Sequence, residues 1–228
     1  MTGIARLLDL LLPQDCYACS APAGRDMLCP DCLRELPQLP GERCPQCALP
    51  SPRGQICGAC LRDSPHYDAT IARWAYEFPI REMVQALKYR ARLALAPWLA
   101  RTLADLQRPQ PADCLIAVPL HPARLAERGF NQSVEIGRHL ARHWELPLVA
   151  EACVKDRMIE PQARLPWKAR RKNIRGAFRC IQDMSGKRIV VVDDVMTTGA
   201  TLDEFAKTLK QRGAVHVTNV VIARTLPK

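Results

Sequence analysis

The sequence predicts an α/β fold with a doubly wound, mostly parallel sheet, preceded by a small cysteine-rich unit. Three observations carry that expectation. The first is the stretch 187–205, KRIVVVDDVMTTGATLDEF, where an apolar run meets a tight turn and then a helical repeat. The second is another apolar run, CLIAVPL at 114–120, again followed by a loop and a helix. The third is a series of four C-x-x-C pairs before residue 61. Ile189, Val190, Val191 and Val192 are all β-branched, as a strand buried on both faces of a parallel sheet requires.

At 228 residues, 48% of them apolar, the chain is long enough for one sizeable domain and a small one. We divide it into an N-terminal helix (1–14), a cysteine-rich unit (15–64) and an α/β domain (65–228). The Leu-rich start, IARLLDLLLPQ, contains Asp9 and lacks a small-residue cleavage site, so it does not read as a secretory signal. No apolar run approaches the ~20 residues of a membrane span. The expected compartment is therefore the cytoplasm, where thiols stay reduced. A net charge of +10 suits a polyanionic ligand or nucleic acid, and equally a merely basic surface.

Residues 1–14 place Ile4, Leu7, Leu8 and Leu11 on one side of a short helix that Pro13 ends. That helix lacks the Lys/Arg-rich face of a membrane-surface helix and is expected to pack on its neighbour. Next come Cys16/Cys19, Cys29/Cys32, Cys44/Cys47 and Cys57/Cys60, separated by nine, eleven and nine residues. The symmetry suggests a duplication in which each half, C-x2-C-x9-C-x2-C, supplies one tetrahedral four-thiolate Zn²⁺ site. Sequential pairing is favoured; the interleaved arrangement, first pair with third and second with fourth, stays open. Four such pairs in series argue against redox C-x-x-C chemistry. With so few apolar residues, the unit depends on zinc for folding, at roughly 10–16 kcal/mol per site in small zinc peptides. With all four ligands from protein, both sites are expected to be structural. Cys114, Cys153 and Cys180 read as small core residues.

From Tyr67 the chain changes character. DATIARWAYEF reads as strand, and PIREMVQALKYR places Ile80, Met83, Val84 and Leu87 at helical spacing. A second helix over 94–106 ends before the breaker RPQP. The strand at 114–120 leads into a loop, HPARLAERGFNQS (121–133), carrying His121, Arg124, Arg128 and Gly129, and then a helix over 134–144. Ligands of doubly wound sheets sit at the carboxyl ends of such strands, so the two arginines suit an anionic group. Residues 155–179 hold nine basic and two acidic residues. Such a segment suits a loop closing over a polyphosphate, or a single-strand nucleic-acid strip with Trp167 and Phe178 as stacking platforms. A helix from about Ala200 and a strand over 214–222 finish the chain.

The central stretch makes a phosphate cradle. Amides at a helix start have no intrahelical partner, and the helix dipole favours an anion there. Gly199 permits close backbone approach, while Thr197, Thr198 and Thr201 add hydroxyl donors. An acidic pair, Asp193 and Asp194, beside such a nest makes sense if the ligand also carries neutral hydroxyls or a divalent cation. A 5-phosphorylated ribose meets both requirements.

The thirteen residues IVVVDDVMTTGAT resemble the ribose-phosphate signature of type I phosphoribosyltransferases. No G-x-x-x-x-G-K-[ST] loop occurs to make the strand a nucleotidase partner strand. VPLHP, RGFNQ, PQARL, RRKNIRGAF and VDDVMTTGAT, in that order behind the cysteine pairs, resemble the ComF family over essentially the whole chain. That resemblance implies a double zinc ribbon followed by a type I phosphoribosyltransferase-like domain, and a link to competence and DNA uptake. It implies that Thr197, Thr198, Gly199, Ala200 and Thr201 hold the 5-phosphate of phosphoribosyl pyrophosphate and that Asp193 and Asp194 hold its ribose hydroxyls. It further implies that the segment from Leu120 through His121 and Arg124 to Arg128 contacts pyrophosphate, with Mg²⁺ bridging pyrophosphate and ribose oxygens. Transfer at ribose C1 would pass through an oxocarbenium-like state, with an acceptor the sequence does not identify. Two other roles stay open: a non-catalytic accessory binding single-stranded DNA, and a zinc-ribbon adaptor docking on a competence helicase-like protein.

Overall fold

A computed structural model describes residues 14–24, 26–158 and 173–227. The expected N-terminal helix and most of the basic stretch, including Trp167, lie outside the described residues.

The cysteine-rich unit carries a minimal hairpin, β1 (Gln14–Asp15) with β2 (Pro22–Gly24), and two one-turn helices, α1 (Pro30–Arg34) and α2 (Gly58–Arg62). The α/β domain follows in order: β3 (Ala69–Ala75), α3 (Ile80–Arg90), α4 (Leu95–Ala104), β4 (Cys114–Ala117), α5 (Pro122–Arg128) and α6 (Gln132–Trp144). It continues with the hairpin β5 (Cys153–Lys155) and β6 (Phe178–Cys180), then β7 (Arg188–Met196), α7 (Ala200–Gln211) and β8 (His216–Arg224).

The central sheet has the order β3-β8-β7-β4, and every pairing is parallel. Alternation along the strands explains the double winding. On β7 and β8, Val190, Val192, Val220 and Ile222 face α3, α4 and α6, whose Leu87, Leu99 and Leu140 are fully buried. Ile189, Val191, Val217 and Val221 face α7, with Leu202, Phe205 and Leu209, and the β5–β6 hairpin. The cysteine-rich unit straddles this sheet. Its first half (Cys16, Leu28, Cys29, Leu36) joins the core on the α4 side, and its second half (Cys44, Cys47, Ala48, Cys60) joins the core on the α7 side.

The segment between the halves runs along β3, the edge strand. The N–H of Ala75 donates to Pro37 at 2.8 Å, and the N–H of Thr70 to Pro45 at 3.0 Å. An edge that would otherwise expose unpaired amides is thereby covered. Further ties fasten the first half to the helices: Tyr17 Oη donates to the Glu82 carbonyl at 3.2 Å, and Trp98 and Arg101 both donate to Asp26.

Three boundaries differ from the sequence expectation. β7 does not end before the acids but continues through Asp193 and Asp194 to Met196, because β8 keeps pairing with it to Arg224. The segment expected as a loop over 121–133 contains α5, started by Pro122 behind its cap and stopped by Gly129 at φ 81°. α6 begins at Gln132 rather than 134, because Asn131 caps it, accepting from the N–H of Ser133 at 2.9 Å. Among the described residues no helix is long and apolar enough to cross a membrane.

Candidate functional site

The carboxyl ends of β4 and β7 open toward the starts of α5, α6 and α7, and the residues singled out in the sequence gather there. β7 carries Asp193 and Asp194, and its continuation, Thr197-Thr198-Gly199, turns into α7. Gly199 is the cap of α7 at φ 82°, a left-handed conformation a side chain would strain. A Cβ there would meet Met196 Cε at 2.7 Å and Tyr67 Oη at 3.0 Å, so the turn needs glycine for space as well. The N–H of Ala200 points at Thr198 Oγ1, 3.4 Å away. Ala200 and Thr201 form the first turn of α7, a helix of twelve residues with its amide end at the crevice.

The two carboxylates have different partners. Asp194 is buried, and its Oδ2 lies 2.8 Å from Nζ of Lys88 on α3. That contact is ionic and lacks the alignment of a hydrogen bond, for Oδ2 has no aligned donor. Burial pulls the Lys88 ammonium down, but Asp194, helped by Asp193, outweighs it and leaves the lysine raised above its ordinary value. Asp193 is half-buried; its Oδ1 accepts from Ser133 Oγ at 2.8 Å and from the N–H of Asp194 at 2.9 Å. Desolvation, then the neighbouring Asp194 charge, push the Asp193 carboxyl up to about 7.

Ser133 continues the network to the second loop. It follows Asn131, whose side chain donates to the carbonyl of Val118 at 3.0 Å and so ties the start of α6 to the end of β4. Arg128 donates to Gln132 and lies over the Tyr89 ring, 5.4 Å from its centroid. Arg124 pairs with Glu127 at 3.0 Å, one turn along α5. His121 is the cap of α5, its Nδ1 accepting from the N–H of Ala123 at 3.2 Å. Lys155, at the described start of the basic stretch, sits over Phe178; burial pulls its ammonium down, with Asp193 opposing and Arg124 adding to the shift. The fold thus sets Asp193, Asp194 and the T-T-G-A-T turn at the carboxyl end of β7 and ties Asp193 through Ser133 to the start of α6. It places Arg128, with His121 and Arg124, on α5, which leads into α6.

Lys88, Ser133, Asn131 and Arg224 are not singled out by the sequence. Lys88 has a readable sign: it stands four residues after Val84 on the buried stripe of α3, where a charge needs a partner. Arg224 has one too, as the arginine ending an otherwise apolar strand, VVIAR.

The eight cysteines form two groups, Cys16/Cys19/Cys29/Cys32 and Cys44/Cys47/Cys57/Cys60, each with its Sγ atoms within 4.8 Å of one another. This is the sequential pairing. Cys19 and Cys29 sulfurs are 3.7 Å apart, and those of Cys47 and Cys57 3.6 Å. A zinc tetrahedron with 2.3 Å Zn–S bonds has edges of ~3.8 Å, so the size and ligand set of both groups suit Zn²⁺.

Residues 7–61 match the double zinc ribbon domain and residues 133–226 the phosphoribosyl transferase domain. A DNA utilization protein YhgH of Escherichia coli O157:H7 is 35% identical over 161 residues, which span 66% of this chain and 70% of that one. Competence protein F of Haemophilus influenzae is 28% identical over 167 residues, 67% of this chain and 71% of that one. Among solved structures, the glutamine phosphoribosylpyrophosphate amidotransferase of B. subtilis is 22% identical, with a TM-score of 0.40 over 55% of this chain and 25% of that one. With a double zinc ribbon match followed by a phosphoribosyl transferase match, and 35% identity to a relative covered over 70% of its length, the chain belongs to the ComF family of double-zinc-ribbon, phosphoribosyltransferase-type proteins.

Proposed function

We propose that the crevice binds phosphoribosyl pyrophosphate with Mg²⁺ and transfers the phosphoribosyl group to an acceptor. One observation carries this reading: a left-handed Gly199 turn opens a twelve-residue helix directly beside the paired carboxylates of β7. Amides and threonine hydroxyls of 197–201 would receive the 5-phosphate. Asp193 would accept from a ribose hydroxyl, while Lys88 holds Asp194 in place beside it. Arg128, Arg124 and Lys155 would stabilise the pyrophosphate as the C1–O bond breaks and that oxygen leaves with the electron pair. The acceptor's lone pair forms the new bond to C1. Asp193 is the residue that would hold Mg²⁺, which when bound would supply charge neutralisation of the leaving group.

The test is a thermal shift with phosphoribosyl pyrophosphate and Mg²⁺, followed by assay of pyrophosphate release with candidate bases and nucleosides. The reading expects a rise in melting temperature that the Asp193→Asn/Asp194→Asn double variant loses. An equal rise in that variant removes the crevice as the binding site.

A second reading is favoured by the names of the relatives and by the net charge of +10: a competence accessory that handles single-stranded DNA or docks on a helicase-like partner. Its mark is salt-dependent strand binding that weakens when Arg170, Arg171 and Lys172 are neutralised.

A further inference from the structure

Arg224 ends β8 and is 3% exposed. Its guanidinium reaches two structures at once. Nε donates to the carbonyl of Cys47, in the second four-thiol group, at 2.8 Å. Nη1 donates to the carbonyls of Met196 at 2.9 Å, of Thr197, and of Thr225 at 3.0 Å. These four acceptors are all neutral, and a buried guanidinium needs a counter-charge. Cys47 and Cys60 of the second four-thiol group line the same cavity as Arg224. Zinc held by four thiolates carries a formal charge of about −2, so the loaded second site places a counter-charge beside Arg224, in a cavity that Asp63 and Asp203 also line.

The contact to the turn also has a direction. In a trans peptide the C=O and N–H point to opposite sides. With the carbonyls of Met196 and Thr197 drawn toward Arg224, the N–H groups of Thr197 and Thr198 are aimed away from it. Tyr67 closes the same wall: its hydroxyl packs against Gly199, and a space of about 120 Å³ separates Cys47 and Cys60 from Thr198 and Gly199.

We propose that Arg224 is a positioning residue that couples the second zinc site to the 196–201 turn. With zinc in place the guanidinium is compensated and holds the turn with its amides outward; without zinc the turn loosens. By reciprocity, a ligand bound in the turn tightens the second site's hold on zinc. The ligand half of this coupling rests on the function proposed above, and the mechanical half does not.

The test uses the full-length, zinc-loaded chain. Hydrogen–deuterium exchange of the 196–201 peptide is measured in wild type, Arg224→Gln, Cys60→Ser (second site) and Cys32→Ser (first site), with zinc content determined for each. Coupling predicts exchange about tenfold faster in Arg224→Gln and in Cys60→Ser, and unchanged in Cys32→Ser. Arg224→Lys keeps the charge but cannot bridge both sides, so it falls between; it serves in place of Arg224→Gln should that variant not fold. Wild-type exchange in an Arg224 variant holding both zinc ions overturns the proposal, as does equal loosening by Cys32→Ser. In the second arm, phosphoribosyl pyrophosphate with Mg²⁺ should slow zinc transfer from the second site to a chromophoric chelator about tenfold in wild type, and not in Arg224→Gln. Binding without slowing overturns the coupling. No binding overturns the functional reading, while the exchange comparison still decides the coupling.

Discussion

Asp193 and Asp194 are neighbours in the chain, but one is neutralised by Lys88 and the other titrates beside Ser133. With the Asp193 carboxyl raised to about 7, the folded state keeps a proton that the unfolded chain has lost by then. Its contribution to stability is full below about pH 4, falls as pH climbs, and is gone above about 7. Unfolding titrations across that range should show the decline, and Asp193→Asn should flatten it. Ligand affinity should run the opposite way if the ionised form receives ribose hydroxyls or Mg²⁺, rising through about pH 7 to a plateau. Lys88 makes a second prediction. Lys88→Met leaves Asp194 as a buried unpaired charge and should cost about 3 kcal/mol in denaturant unfolding. Adding Asp194→Asn should recover most of that loss, since the two residues act as a pair. The acid pair is legible in the sequence because two adjacent carboxylates closing a β-branched run would repel each other in a core without a ligand or counter-charge. Lys88 is not, because its partner lies 106 residues away and only the packing of α3 on β7 brings them together.

Elements decide where these side chains point. The turn into α7 is readable from Thr-Thr-Gly, and the structure adds why glycine is needed there. Gly199→Ala should strain the left-handed position by roughly 1–2 kcal/mol and push against Met196 and Tyr67, lowering both stability and phosphate binding. Asn131→Ala removes the cap of α6 and its tie to Val118, at about 1 kcal/mol by the same unfolding assay. The segment before α6 reads as a loop in the sequence and is a helix in the fold. Its Pro122, capping His121 and terminal Gly129 are helix start and stop residues, but only seven residues lie between cap and stop, too few for periodicity to show. β7 reads too short for a related reason: polar residues at a strand end look like turn when the partner strand is unknown.

At the level of the whole molecule, the zinc ribbons are built into both cores rather than tethered to the sheet. The spacing of the C-x-x-C pairs shows the two sites and favours sequential pairing, and the coordinates bear that pairing out over the interleaved one. That the halves lie on opposite faces of the sheet, with 37–45 sealing its edge, is hidden because long-range packing leaves no periodic trace. Removal of zinc by chelator should therefore destabilise the α/β domain and not the ribbons alone. The melting transition should move as one, returning on addition of Zn²⁺. A ribbon-only transition beside an unmoved domain would contradict this architecture. The functional reading stands or falls with the crevice, and calorimetric titration of the zinc-replete chain with phosphoribosyl pyrophosphate and Mg²⁺ probes it without intermediaries. One saturable site is expected, weakened in Gly199→Ala and absent in the Asp193→Asn/Asp194→Asn double variant; no heat of binding, or the same isotherm in all three proteins, would refute it.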